Sequence, residues 1–273
     1  MKKKIPFVSV VTALLCFGSG IAPMAKVAAD EPAEQRYYDA VSLCDATSEI
    51  VTFTSKETVK ITTIGNCPMY YSNDYSNVCG PVAGSMLVGF YDRYYEDLIP
   101  DYTAYLTSTG NYKTFVTTPV SSVISSLYTL MRTNVDDVGV SRTDFLNGLS
   151  DYVESKDLTM QYTAVDSGAS FNYSTYKTSI DANKPVVLFC NNVVLYTFSS
   201  SNDTSENIVG QTISGGHIIV GYGYYEVDYY NGDTISRSEK YALVASGWAT
   251  PRYAYVNVEE TSWYNNGYSV LIS

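Results

Sequence analysis

A series of strand-like segments after residue 184 constrains the fold more than any other feature of this sequence. Six runs rich in β-branched and aromatic residues continue to the C-terminus, and polar turn residues separate most of them. They are PVVLFC, VVLYTFS, HIIVGYGYYEVDYY, SEKYALVASGW, RYAYVNV and GYSVLIS. Successive short strands joined by turns favour an antiparallel sheet. The segment GYGYYE is not a dinucleotide-binding loop, because the strand continues and no helix follows it.

The sequence before residue 184 has helical periodicity. Between Cys79 and Tyr95, apolar residues recur at steps of three and four, which predicts a helix with one buried stripe. Pro81 suits the first turn, where a missing N–H costs nothing. Three further helices are predicted, over residues 119–132, 142–155 (with Ser141 as the cap) and 171–182. The predicted fold class is α+β, with a helical front half and an antiparallel sheet at the back.

Residues 1–29 have the pattern of a secretory signal peptide. Three lysines precede the apolar run 5–17, and small residues follow, with Val27 and Ala29 at the −3 and −1 positions of a cleavage site. The alternative is an uncleaved membrane anchor, but the apolar run is shorter than the roughly 20 residues that a span needs. We therefore expect a bacterial protein that is secreted or held at the cell surface, cleaved after Ala29.

The charge of the mature chain limits its partners. Loss of residues 1–29 leaves 13 basic and 28 acidic side chains, a net charge of −15. Nucleic acids and anionic membranes need a basic face, so neither is expected as a partner. Residues 30–66 are predicted to be a pro-segment or an N-terminal extension that forms an edge strand pair. Residues 67–273 are predicted to be the main domain, and nothing in the sequence indicates an oligomer.

Four cysteines remain after export, too few for a disulfide scaffold. Cys44 and Cys67 are a candidate disulfide pair. Cys190 ends a predicted buried strand, where cysteine acts most often as a small hydrophobe. Cys79 differs from these, because the free N–H groups and the dipole of a helix N-terminus favour a thiolate.

A thiolate nucleophile also needs a base, and His217 is the only histidine in the chain. It follows Gly215 and Gly216, which leave its approach uncluttered, and it opens a predicted strand. A cysteine at a helix start and a histidine on a later strand form a pattern for nucleophilic catalysis. The alternative is that His217 is structural. A metal site is not expected, since one histidine and scattered thiols lack ligand spacing.

The histidine needs a third group to hold one tautomer. The dipeptide Asn231-Gly232 is a strong hairpin signal, and a two-residue loop there would place His217 directly opposite Ser246. Facing residues have Cβ atoms about 5 Å apart, so the serine hydroxyl would reach the imidazole. A single bulge would change this register.

These segments resemble papain-like cysteine peptidases. The sequence VCGPVAGSM is similar to their nucleophile helix, and is closest to the branch of bacteriocin-leader-processing (double-glycine) peptidases. The segment KPVVLF…GGHIIVGYGYY resembles the strand that carries the histidine, and YALVASGW resembles the strand that brings the third residue. The resemblance covers roughly residues 70–260. It implies a two-lobed fold with the cleft between a helical lobe and a β-rich lobe.

The resemblance also implies roles for individual residues. Cys79 would be the nucleophile and His217 the general base and then acid. The family has an oxyanion-hole glutamine six positions before the cysteine, where this chain has Asn73. Asparagine carries the same amide donor on a shorter stem, and the backbone N–H of Cys79 would be the second donor.

The third position differs from the family pattern. Ser246 stands where the family has Asn or Asp, so either the serine orients His217 or another residue, such as Asp228 or Asp233, does so. Trp248 would shield the contact between His217 and Ser246, or it is simply a core residue.

The implied function is that of a secreted cysteine peptidase that hydrolyses polypeptides without a cofactor. One alternative keeps the same catalytic residues but changes the group that accepts the acyl chain. The protein would then be a transamidase, or an amidase that acts on cell-wall peptides. The other alternative is a non-catalytic surface binding module, in which the substitutions at Asn73 and Ser246 mark a degenerate site. The 27 tyrosines fill the core and sheet surfaces or line a groove that grips peptide or glycan.

Overall fold

The computed structural model describes residues 34–38, 43–102, 118–135, 139–168 and 170–273. The predicted signal peptide lies outside the described residues. Over these ranges the fold is α+β, with four helices and a large antiparallel sheet. The helices are α1 (Cys79–Asp92), α2 (Thr118–Leu130), α3 (Arg142–Glu154) and α4 (Tyr173–Asp181). The strands are β1 (Arg36–Tyr37), β2 (Leu43–Thr52), β3 (Ser55–Thr63), β4 (Val140–Ser141), β5 (Met160–Ala164), β6 (Asp166–Ser167), β7 (Ser170–Phe171), β8 (Val186–Asn191), β9 (Val194–Asn202), β10 (Ser205–Ile213), β11 (Gly216–Asn231), β12 (Thr234–Ala245), β13 (Tyr253–Asn257) and β14 (Tyr264–Ile272).

The main sheet has the strand order β2-β10-β9-β13-β12-β11-β8-β14-β5. The 16-residue strand β11 organises it. One edge of β11 pairs with β12, while the other edge pairs first with β8 and then with β3. The predicted continuous strand through GYGYYE is therefore confirmed, and all six predicted C-terminal strands are present in the sheet. Strands β5 and β10 were not predicted.

The helix α1 is more deeply buried than its periodicity indicated. Only Gly89 among its residues is not buried, whereas the sequence predicted a single buried stripe. The reason is that α1 packs against α2 and α3 on one side and against β11 on another. The helix also ends at Asp92, three residues earlier than predicted.

The other three helices lie close to their predicted positions. Ser141 caps α3 as expected, since its hydroxyl oxygen accepts a hydrogen bond from the Asp144 N–H at 3.0 Å. The side chain of Asn172 caps α4 in the same way, through the N–H of Thr175. Within the described ranges, none of the helices combines the length and apolar character needed to cross a membrane.

The first two long strands do not form the predicted edge pair with each other. Strand β2 pairs with β10 at the edge of the main sheet, and β3 pairs with β11. Both strands therefore belong to the same sheet as the C-terminal strands. The assignment of residues 30–66 as a pro-segment or extension stays a prediction.

The β11–β12 hairpin differs from the predicted register. Asn231 pairs with Thr234, so the loop is Gly232-Asp233 and not Asn231-Gly232. Gly232 has φ 63°, which suits a type II′ turn, where glycine takes the first loop position. Two bulges along the ladder shift the pairing in opposite directions and cancel, so Val220 lies opposite Ala245 in the register that the loop sets. The predicted direct pairing of His217 with Ser246 is therefore wrong.

Candidate active site

The thiol of Cys79 lies at the first residue of α1, as predicted. Val78 occupies the N-cap position without a side-chain hydrogen bond, and no acidic residue lies in the first turn. Helix N-termini of this kind favour the thiolate form of a cysteine. Cys79 is 1% exposed and is not part of a disulfide.

The imidazole of His217 is held by a main-chain carbonyl. His217 is the second residue of β11 and is fully buried, and its Nε2 lies 2.8 Å from the carbonyl oxygen of Ser246. A carbonyl oxygen can only accept a hydrogen bond, so Nε2 carries the hydrogen in this contact. In the neutral ring Nδ1 is then the nitrogen that can accept a proton.

The hydroxyl of Ser246 does not make the predicted contact with the imidazole. It donates to the carbonyl of Pro251 and accepts a hydrogen bond from the Trp248 N–H at 3.0 Å. The Ser246 N–H donates to the Arg252 carbonyl at 2.9 Å. Ser246 therefore contacts His217 through its backbone, while its side chain holds the connection between β12 and β13.

Trp248 covers this contact. Its ring meets the imidazole of His217 edge-on, with centroids 5.5 Å apart and planes inclined at 71°. Trp248 is half-buried and packs at the margin of the core. The position agrees with the predicted shielding of the contact between His217 and Ser246.

The start of α1 contacts both elements that hold the imidazole. A Cβ placed on Gly80 would lie 3.6 Å from Cδ1 of Ile218, the residue that follows His217. A Cβ on Gly247, which follows Ser246, would lie 3.6 Å from Cγ1 of Val82. The structure therefore brings the first turn of α1, the start of β11 and the end of β12 together in one buried region.

The structure separates the two candidate aspartates from His217, while Asn73 remains a candidate. Asn73 is exposed on the non-helical segment before α1, and its role as an oxyanion donor stays a prediction. Asp228 lies 11 residues after His217 on β11, which is about 35 Å along a strand, and it accepts a hydrogen bond from Ser238. Asp233 lies in the hairpin loop beyond it. Neither aspartate can orient His217.

The other described thiols are poor nucleophiles. Burial raises the pKa of Cys190 well above its usual value and that of Cys67 to about 12. A thiol that stays protonated does not attack a carbonyl. Cys190 pairs with His217 across β8 and β11, a relation that the sequence did not reveal. Cys67 carries a free thiol, so the predicted pairing with Cys44 is absent from this structure.

The sequence predicted an open approach to His217, but the backbone of residues 36–38 lies against the residue before it. The Tyr38 N–H donates to the carbonyl of Gly216 at 2.9 Å, and a Cβ on Gly216 would lie 2.7 Å from the carbonyl oxygen of Arg36. Glycine is needed there because another stretch of backbone passes so close. The two adjacent glycines were the available signal for this contact, but nothing in the local pattern indicates which segment makes it.

In the part of the chain that the structure describes, no three His, Cys, Asp or Glu side chains are grouped so that they could hold a metal ion. Comparison with protein-family models, with curated proteins and with solved structures finds no significant match.

Proposed function

We propose that this chain is a secreted cysteine peptidase with a papain-like, two-lobed arrangement. Cys79 is the nucleophile and His217 is the general base and then acid. The carbonyl of Ser246 holds the imidazole in the tautomer that leaves Nδ1 able to take a proton. The observation that carries the proposal is the hydrogen bond from His217 Nε2 to Ser246, next to the first turn of α1.

The proposed reaction is an acyl transfer in two steps. Cys79 passes its thiol proton to His217, the thiolate attacks the peptide carbonyl, the C–N bond breaks, and the leaving amine takes that proton from His217. Water then attacks the thioester while His217 accepts a proton from it, which releases the acid and restores the thiol. Asn73 and the Cys79 N–H are the proposed donors to the oxyanion, and each such donor typically contributes about 10²–10³ in rate.

An epoxide thiol inhibitor and a protein substrate test the proposal together. Mass spectrometry should locate the inhibitor on Cys79 and find none on Cys67 or Cys190. Cys79→Ser should lower casein hydrolysis by at least about 10³-fold, as the loss of a catalytic nucleophile does. Cys190→Ala is the matched control, because it removes a buried thiol near the same histidine and should leave hydrolysis in place. Hydrolysis that survives Cys79→Ser would refute the assignment.

The group that accepts the acyl chain from Cys79, and so the reaction class, can be tested in the same experiment. Products of a casein digest and of a peptidoglycan digest would distinguish a peptidase from a transamidase or a cell-wall amidase that uses the same thiol.

One observation favours a non-catalytic binding module instead. Cys79 is 1% exposed and His217 is fully buried, so no substrate reaches either group in this conformation. If the thiol of Cys79 stayed inert to the epoxide even when the site was opened, the binding module would be the better interpretation.

A further inference from the structure

Asn134 connects the segment before α1 to the chain between α2 and β4. Its side-chain nitrogen donates to the Ser76 carbonyl at 3.0 Å and to the Tyr128 hydroxyl at 2.7 Å. Its side-chain oxygen accepts hydrogen bonds from Nδ2 of Asn77 at 2.9 Å and from the Gly139 N–H at 2.8 Å. These four contacts use both donors and both acceptor positions of the amide, so the side chain has one fixed orientation.

The first route from Asn134 to Cys79 runs through Asn77. Asn77 lies directly before the N-cap Val78, and its φ of 55° places it in the left-handed region. Such a residue turns the chain, and the bond from Asn134 holds the side chain at this turn. The direction of the Cys79 N–H depends on how the chain enters α1 there.

The second route runs through Gly139. The Asn134 N–H donates to the Gly139 carbonyl at 2.8 Å, and the Asn134 side chain accepts from the Gly139 N–H, so the two residues are paired. Val140 follows Gly139, and a Cβ on Gly80 would overlap the Val140 side chain. The contacts of Asn134 therefore reach the first turn of α1, where Cys79 lies, from two sides.

The same contacts restrict the segment that carries Asn73, the other proposed oxyanion donor. The Ser76 carbonyl, which accepts from Asn134, lies three residues after Asn73. The ring of Tyr75 packs on the ring of Tyr128 with centroids 5.0 Å apart, and the Tyr128 hydroxyl bonds to Asn134. Asn73 itself is exposed, so contacts made by the residues after it limit where its amide can lie.

We propose that Asn134 is a positioning residue for the oxyanion hole of the proposed peptidase. It acts through residues 75–78 on the two proposed donors, Asn73 and the Cys79 N–H. This inference rests on the proposed function. Asn134 takes no part in the chemistry. It fixes the two donors before the tetrahedral intermediate forms, and donors that are fixed in advance need no rearrangement during the reaction.

The test compares Asn134→Gly and Asn77→Gly with a matched control, Asn183→Gly, each in the full chain. All three asparagines have a left-handed backbone that glycine accepts, so each change mainly removes side-chain contacts. Asn183 also bonds a tyrosine hydroxyl, that of Tyr94 at 3.3 Å, but beyond the far end of α1.

Three measurements separate positioning from general damage. Asn134→Gly should lower casein hydrolysis by about 10–100-fold, because displacing a catalytic group by about 1 Å can cost about 10²-fold. Affinity for a peptide aldehyde should fall by a similar factor. The Cys79 sulfur bonds the aldehyde carbon, and the carbonyl oxygen takes the thiol proton and occupies the oxyanion hole. Alkylation of Cys79 by iodoacetamide should not slow, because that reaction forms no oxyanion.

The remaining variants complete the design. Asn77→Gly removes one of the contacts that Asn134→Gly removes, so the double variant should lose no more activity than Asn134→Gly alone. Asn183→Gly should change none of the three measurements.

A loss of hydrolysis below about threefold in Asn134→Gly, or losses that multiply in the double variant, would overturn the inference. So would a parallel fall in alkylation, since that would mean damage to the thiol site as a whole. If the unmodified chain neither hydrolysed casein nor bound the aldehyde, the proposed function would be rejected, and this inference with it.

Discussion

Asp92 offers a sharp test of how the central helix is built. It is the last residue of α1, it is 4% exposed, and its Oδ1 accepts a hydrogen bond from the Ile99 N–H at 2.7 Å. Burial raises the pKa of this carboxyl to about 7, and the nearby charge of Glu96 adds to the effect. The negative end of the helix dipole also disfavours a carboxylate there. The perturbation is Asp92→Asn, which keeps an oxygen for Ile99 and removes the charge.

The expected change in the free energy of unfolding follows from the size of the pKa shift of Asp92. A pKa raised from 3.8 to about 7 corresponds to as much as about 4 kcal/mol between the two protonation states. Because the folded-state pKa is the higher one, this contribution to stability is fully present below about pH 4 and is lost as the pH rises through 7. The free energy of unfolding of the unmodified chain should therefore fall over that range relative to Asp92→Asn.

The assay is urea unfolding followed by fluorescence at several pH values between 4 and 8. We expect Asp92→Asn to gain stability relative to the unmodified chain as the pH rises, by up to about 4 kcal/mol. Asp181→Asn is the control, because Asp181 also ends a helix but is exposed. A difference between Asp92→Asn and the unmodified chain that does not change with pH would refute the reasoning.

Two further predictions concern the sheet and the site. Tyr176→Phe should lower the free energy of unfolding by about 1–3 kcal/mol in urea titrations, because the buried Tyr176 hydroxyl donates to the Gly223 carbonyl at 2.7 Å and that acceptor would lose its donor. A change below 0.5 kcal/mol would contradict this. Ser246→Ala should keep the hydrogen on Nε2 of His217, because the backbone carbonyl remains. Nitrogen NMR of this sole histidine would report the tautomer, and a switch to Nδ1–H would show that the serine side chain is needed.

Local patterns predicted the helices well, because the apolar spacing that marks a helix recurs at every turn. The apolar spacing after Cys79 and the cap at Ser141 both lie within a few residues of the structure they specify. The depth at which α1 is buried was not predictable in the same way. It depends on α2, α3 and β11, which reach α1 from distant parts of the chain.

The register of the long hairpin was predicted less well, because it depends on the position of one turn. Asn231-Gly232 is a strong signal for a type I′ loop, yet the chain uses Gly232 as the first residue of a type II′ loop. Moving the loop by one residue moves the partner of each β11 residue by two positions, and the two bulges offset each other. The sequence pattern predicts which residues form strands, but the position of the turn decides which residues face each other.

For the candidate site, the sequence identified Cys79, His217 and Ser246 and missed the backbone contacts around His217. Side-chain chemistry is visible in a sequence, whereas a backbone carbonyl is present at every position and carries no signal. The contact from His217 to Ser246 and the contact from Tyr38 to Gly216 both use such carbonyls. Only the fold decides which carbonyls lie at these places.

This distinction changes what the serine at position 246 means. As a side-chain partner, serine would be a weaker orienting group than the Asn or Asp of the resembled family, and the site would look degenerate. In the structure the imidazole is oriented by the Ser246 carbonyl, and the hydroxyl instead holds the turn toward Pro251. The residue type at position 246 is therefore no argument against a working base. The observation that bears on activity is the burial of Cys79, which is 1% exposed.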